Sequence, residues 1–162
     1  MEIYLMQHGP SFSKDVDPDE SLTPDGEAQI ATAGRGLKRM GLRVDVIVSS
    51  IKKRAWQTAR IVAEHLGFEP GKILQTDLLK PMAAPEESIR FLKQHDAAKA
   101  ILVAGHLPSL AEIASMLLTE GSKATIHFER GGIGRIDVDS LPTHQGRLRW
   151  YLTSEHLKLI AG

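Results

Sequence analysis

The chain has 162 residues, 20 of them basic and 20 acidic, and it contains no cysteine. That length fits one domain, taken here as residues 1–162, and demands no second. A cancelled net charge argues against nucleic acid or an anionic membrane as the main partner, and the lack of cysteine excludes disulfides and thiolate chemistry. MEIYLMQHG has no basic region ahead of a long apolar stretch, and no run approaches the roughly 18 apolar residues of a membrane span. A cytoplasmic protein is expected, with any anion specificity confined to a local site.

In chain order, IYLM (3–6) reads as a short buried strand that ends on Gln7, His8 and Gly9. PSFSKDVDPDES (10–21) follows as a mobile flap beside that strand. Thr23, Pro24 and Asp25 open a helix, with Thr23 as N-cap and proline at the first helical position. Ile30, Ala33, Leu37 and Met40 mark its apolar face, and Gly41 ends it. VDVIVSS (44–50) is a second strand, and Lys52 to Leu66 a second helix closed by Gly67. KILQT (72–76) is a weaker strand candidate, followed by a helix over 85–94. AILVAGH (100–106) is a further buried strand and 108–118 a further helix.

Beyond Gly121 the pattern changes. TIHFE (125–129), GRIDVD (134–139) and GRLRWYL (146–152) are short and alternating, separated by glycine or Leu-Pro turns. They predict added strands, at least one pair of them a hairpin. Strands alternating with helices and then a hairpin give a three-layer α/β/α domain with a mainly parallel central sheet.

In such sheets ligands bind beyond the carboxyl ends of the strands. Gln7 and His8 fall there, as do Ser49, Ser50 and Arg54 after the second strand, and Gly105 and His106 after the strand at 100–106. Helix N-termini near Lys52 and Pro108 add partial positive charge. Two histidines, an arginine and two hydroxyls at one sheet edge predict a pocket for a small oxyanion, and arginine suits tetrahedral phosphate because its planar donors bind two oxygens together. Lys52 and Lys53 read as solvated helix residues, Gln57 and Thr58 as supports for Arg54 or its helix. Ser11 in the flap is a further candidate phosphate contact; His65, His95, His127, His144 and His156 are assigned to no site. Neither His8 nor His106 has Asp or Glu beside it at metal-ligand spacing, so no metal or other cofactor is expected.

YLMQHG, LTPDGEAQ, SSIKKRAWQTA and VAGHLPSL, with the closing GGIGRIDVD and GRLRWYL, resemble the histidine phosphatase superfamily. The resemblance covers nearly the whole chain and is closest to the short SixA-type phosphohistidine phosphatases of the phosphoglycerate-mutase-like fold. It implies that His8 is the nucleophile, that Arg54 binds phosphate, and that His106 is the second catalytic histidine. A neutral imidazole would attack phosphorus, become phosphohistidine and yield to water, with the pocket stabilising the equatorial oxygens. The implied substrate is phosphohistidine on a protein, with a small phosphorylated molecule as the alternative and inorganic phosphate as product.

Two departures from the family pattern qualify this. Gln7 stands where the family has arginine; it would offer phosphate an amide donor without charge. One charged hydrogen bond is worth about 1.5–3 kcal/mol, so its loss costs roughly ten- to a hundredfold in rate. Larger members also carry a glutamate after the third strand as general acid, whereas TDLLKPMAAPEES (76–88) places Lys80 near that point. Asp77, Glu86 and Glu87 are alternative acids, and Lys80 is a candidate replacement for the missing charge. A leaving imidazole, with an ordinary pKa of about 6.5, needs less acid assistance than an alcohol, which favours phosphohistidine. The competing expectation is a phosphate- or phosphoprotein-binding module that kept the pocket and lost turnover.

Overall fold

The computed structural model describes residues 1–121 and 123–162. Its strands are β1 (Glu2–Gln7), β2 (Val46–Ser50), β3 (Leu74–Thr76), β4 (Ala100–Gly105), β5 (Ile133–Asp137) and β6 (Arg147–Leu152). Its helices are α1 (Pro24–Arg39), α2 (Lys53–Leu66), α3 (Pro85–Lys93), α4 (Ser109–Leu118) and α5 (Ser154–Ala161). The strands form one sheet in the order β3-β2-β4-β1-β5-β6. Pairing is parallel from β3 through β1, and β5 and β6 add antiparallel.

Side-chain alternation explains the three layers. Tyr4 and Met6 of β1, Ile47 of β2 and Leu102 of β4 face one way and pack with Ile30, Leu37, Val62 and Leu157 from α1, α2 and α5. Ile3, Leu5, Val48, Ile101 and Val103 face the other way and pack with Ile89, Leu92, Ile113 and Leu117 from α3 and α4. The near-continuous apolar runs follow from this burial on both faces.

Register positions the site. Gln7 is paired with Gly105 and Ser49 with Ala104, so β1, β2 and β4 end level. His8 and His106 leave adjacent strands side by side, and the His8 amide donates to the Gly105 carbonyl at 3.1 Å. At α1 the Thr23 hydroxyl accepts from the Gly26 amide, as expected of an N-cap. Gly26 is required by contact: a Cβ there would sit 2.0 Å from the Pro10 carbonyl oxygen, where the flap meets α1.

Three expectations change. TIHFE forms no strand; residues 123–129 run as an irregular segment with Phe128 buried in the second core. Its alternation reflects Ile126 and Phe128 packing on the second core, not sheet pairing. The flap is tied at its base by an antiparallel bridge between Ser11 and Leu22. It is also tied internally by the Asp17 carboxylate, which accepts from the Asp19 and Ser21 amides and the Ser21 hydroxyl. Finally, the sequence reading ended at Leu152, yet Ser154–Ala161 forms α5, with a capping box between Thr153 and His156. No helix of the described residues is long and apolar enough to cross a membrane.

Leu157 is fully buried between α5 and the first core. Leu157→Ala should therefore cost about 2–5 kcal/mol, read as a lower urea midpoint. An unchanged midpoint would show that α5 contributes nothing to the fold.

Candidate active site

His8, Arg54 and His106 converge where β1, β2 and β4 end, and hydrogen bonds define their chemistry. His8 Nδ1 lies 2.7 Å from the Gly9 carbonyl oxygen. Arg54 Nε donates to His8 Nε2 at 3.1 Å. A carbonyl only accepts and a guanidinium only donates, so the hydrogen sits on Nδ1 and Nε2 carries the lone pair. The contact that fixes the tautomer is itself fixed: Gly9 N–H donates to Thr58 Oγ1 at 3.1 Å, and the Thr58 hydroxyl donates to the Arg54 carbonyl at 2.8 Å. A closed ring thus runs through Thr58, Gly9, His8 and Arg54.

Burial keeps both histidines neutral. His8 is pushed down to about 4, chiefly by desolvation; its bond to Gly9 opposes this, and the charges of Arg54 and Arg130 add to it. His106, 1 % exposed, is pushed to about 3 by desolvation, then by His8, Arg54 and Lys52. Their ring centroids are 5.0 Å apart. Both ring nitrogens of His106 are buried without a hydrogen-bond partner, as is the hydroxyl of Ser109 in the first turn of α4. Neutral His106 thus has one ring N–H available to donate to an oxygen.

Arg54 also meets a carboxylate from the flap. Its Nη1 lies 3.1 Å from Glu20 Oε2, close enough for an ion pair but not aligned as a hydrogen bond, so the donor is unsatisfied. Glu20 is the one non-glycine residue with positive φ (51°) among the described residues, a conformation that costs an L-residue about 1–2 kcal/mol. Sequence reading missed Glu20, because nothing in PDESL signals a left-handed residue or a partner 34 positions away.

The other expected residues are placed as follows. Gln7 leaves β1 on the face opposite Met6, toward Phe128, and the amide orientation that satisfies its neighbours has Nε2 donating to the Phe128 carbonyl at 2.6 Å and the Glu129 carbonyl at 3.3 Å. In that orientation the Gln7 amide nitrogen is directed at the backbone of 128–129. Gly131 N–H donates to the Gln7 and His8 carbonyls, both at 3.2 Å. The 128–131 segment is thereby held against the end of β1, and exposed Arg130 stands on it.

Ser49 and Ser50 are fully buried within β2. The Ser49 hydroxyl donates to the Ser50 carbonyl, and Ser50 Oγ accepts from the Lys52 amide, so they close the strand end and do not add hydroxyls to a pocket. Ser11 contributes its backbone to the flap bridge. Lys80 is half-buried at the end of a 3-10 turn, Asp77–Leu79, outside the hydrogen-bonded ring. Gln57 Oε1 accepts from the Leu22 amide at 2.8 Å and ties the flap to α2. His144 binds the Met116 carbonyl and His156 caps α5, away from the site. Among the described residues no three His, Asp or Glu side chains converge to hold a metal ion.

Comparison with known proteins bears on the family and the fold. The model of the histidine phosphatase superfamily, branch 1, matches residues 3–82. An uncharacterized protein of Picosynechococcus sp. is 31% identical over 140 residues, 82% of each chain. A 2,3-bisphosphoglycerate-dependent phosphoglycerate mutase of Methylobacterium radiotolerans is 39% identical over 80 residues, which are 45% of this chain and 37% of that one. The solved structure of the protein histidine phosphatase SixA complexed with tungstate shares the fold, with a TM-score of 0.87 at 21% identity over 98% of this chain and 100% of that one. With its sheet, its paired strand-end histidines and these relatives, the chain belongs to the histidine phosphatase superfamily.

Proposed function

We propose that the protein is a phosphatase that works through a phospho-His8 intermediate, with phosphohistidine on a protein as its substrate. The observation that carries this reading is the state of His8: neutral, Nδ1-protonated, with the Nε2 lone pair beside the arginine that would hold the phosphoryl group. Nε2 attacks phosphorus in line, the bond to the leaving group breaks, and His8 keeps its Nδ1 proton, whose hydrogen bond to the Gly9 carbonyl stabilises the phosphoimidazole. Water then attacks phosphorus, the P–Nε2 bond breaks, and inorganic phosphate leaves. Arg54 turns its guanidinium from His8 onto phosphoryl oxygens, and His106 donates one ring N–H to another. No step calls for a metal or cofactor.

The SixA structure is a complex with tungstate, a tetrahedral oxyanion of the kind this pocket would bind. The short flap favours a protein side chain as substrate, whereas similarity to phosphoglycerate mutases supports a small phosphoester as the alternative. Arg130, whose charge acts on His8, serves in this reading as the second cation in place of an arginine at position 7.

A second reading, a phosphate-binding module without turnover, draws support from the engaged Gln7 amide and from Glu20 opposing the charge of Arg54. Turnover separates the two. Wild type should release phosphate from a phosphohistidine peptide and carry a phosphoryl group on His8, detectable by mass spectrometry under neutral conditions; His8→Ala should do neither. An inactive wild type that gains activity as Gln7→Arg would favour the binding module. Arg130→Gln should weaken tungstate binding by up to about fivefold by calorimetry, as loss of an exposed charge contact implies; unchanged affinity would remove Arg130 from the site.

Protonation gives a further test. Unfolded histidines bind protons near pH 6.5, whereas native His8 and His106 do so only near 4 and 3. Between those limits the unfolded state holds more protons, so stability should fall as pH drops from about 6.5 to about 4. His106→Asn should flatten that slope in urea titrations; an identical slope would mean that His106 titrates normally.

A further inference from the structure

If His8 is the nucleophile, one proton is unassigned, because the leaving group departs with a hydrogen that the ring of bonds around His8 cannot spare. The carboxylates expected to supply it after β3 stand elsewhere. Glu87 grips Arg90 at 2.6 and 2.8 Å, Glu86 lines a groove with Lys93 and His144, and Asp77 opens a 3-10 turn. The carboxylate that does reach the site comes from the flap. Glu20 Oε2 is 3.1 Å from Arg54 Nη1, and Arg54 Nε is 3.1 Å from His8 Nε2, so one guanidinium separates Glu20 from the nucleophile. Its side chain is 32% exposed, which leaves it open to proton exchange with solvent.

Its position is also built. The flap is pinned on one side of Glu20 by Asp19 against Lys53 and on the other by the Leu22 amide on Gln57, both residues of α2, the helix that carries Arg54. The Glu20 amide donates to the Asp17 carbonyl at 2.8 Å, within the knot that the Asp17 carboxylate closes. A left-handed backbone held by this many contacts is the kind of local strain that persists where the structure over-determines it.

We propose that Glu20 is the acid and base of the two half-reactions, an inference that rests on the phosphatase reading above. An arriving phosphoryl group takes the guanidinium edge that Glu20 holds, leaving the carboxyl group facing an anion, where a shared proton relieves the repulsion. As the His8 Nε2–P bond forms and the bond from phosphorus to the leaving atom breaks, Glu20 gives its proton to the leaving group. For an ester the proton goes to the departing oxygen; for phosphohistidine it goes to the far ring nitrogen, so that neutral imidazole leaves. In the second half-reaction the Glu20 carboxylate takes a proton from the attacking water as the O–P bond forms and the P–Nε2 bond breaks. His8 and Glu20 return to their starting states.

The test is the dependence of rate on leaving-group acidity. Phosphate release is measured from phenyl phosphate and p-nitrophenyl phosphate, whose leaving phenols differ widely in acidity, for wild type and Glu20→Gln; tungstate affinity is measured by calorimetry. Glu20→Gln should lower kcat/KM about a hundredfold on phenyl phosphate and threefold or less on p-nitrophenyl phosphate, the lower range of general acid catalysis. It should also bind tungstate several-fold more tightly, since no carboxylate competes for Arg54. Equal losses on both esters, or none, would overturn the acid role while leaving the phosphatase reading intact, and weaker tungstate binding would show that Glu20 builds the anion site instead. A wild type that hydrolyses neither ester and never labels His8 would overturn the phosphatase reading and this one with it.

Discussion

The closed ring of hydrogen bonds through Thr58, Gly9, His8 and Arg54 is the constraint on which the site depends. It joins the end of β1 to the first turns of α2, so the His8 tautomer and the position of Arg54 are set together. Each bond is worth only about 0.5–1.5 kcal/mol net. In a closed loop, however, removing one leaves buried partners unsatisfied on either side, and the cost rises accordingly. Thr58 is fully buried and touches no reacting atom, yet its hydroxyl accepts from one side of the ring and donates to the other.

Around that ring cations outnumber anions. Arg54 is paired with Glu20, the charges of Arg130 and Lys52 bear on His8 and His106, and Gln7 brings none. Beside that local positive field stand unsatisfied donors at Arg54 Nη1 and His106. The same burial that holds both histidines neutral removes water as a competitor for those donors. Neutral imidazoles and unpaired donors are thus two results of one desolvated strand edge.

Much of this was legible in the sequence because it follows from strand ends and helix starts. Apolar runs with little alternation specified strands buried on both faces, and Gln7, His8, Gly105 and His106 mark where two of them stop. Arg54 was found by its place one turn into a helix. What escaped differs in kind. Ser154–Ala161 carries local signals, Thr153 as N-cap and Gly162 at its end, but it is only 8 residues long and follows directly on β6. Glu20 matters through a backbone turn set by Asp17 and a partner on another helix. Ser49 and Ser50 were misread because a hydroxyl near a strand's carboxyl end satisfies its own backbone as readily as a ligand.

Gln7 and TIHFE are one problem seen from two sides. Residues 123–129 find no strand partner, and the segment they lead into is ordered by individual bonds. The Gln7 amide meets Phe128 and Glu129, Gly131 donates to the Gln7 and His8 carbonyls, and the Tyr151 hydroxyl accepts from the Glu129 amide. An arginine at position 7 would add a charged contact worth about 1.5–3 kcal/mol to a bound phosphoryl group. It would forgo two neutral amide bonds of about 0.5–1.5 kcal/mol each and free the segment that carries Arg130. The two sums are comparable, so glutamine at this position is no simple loss. It exchanges a charge beside His8 for order in the loop that carries Arg130.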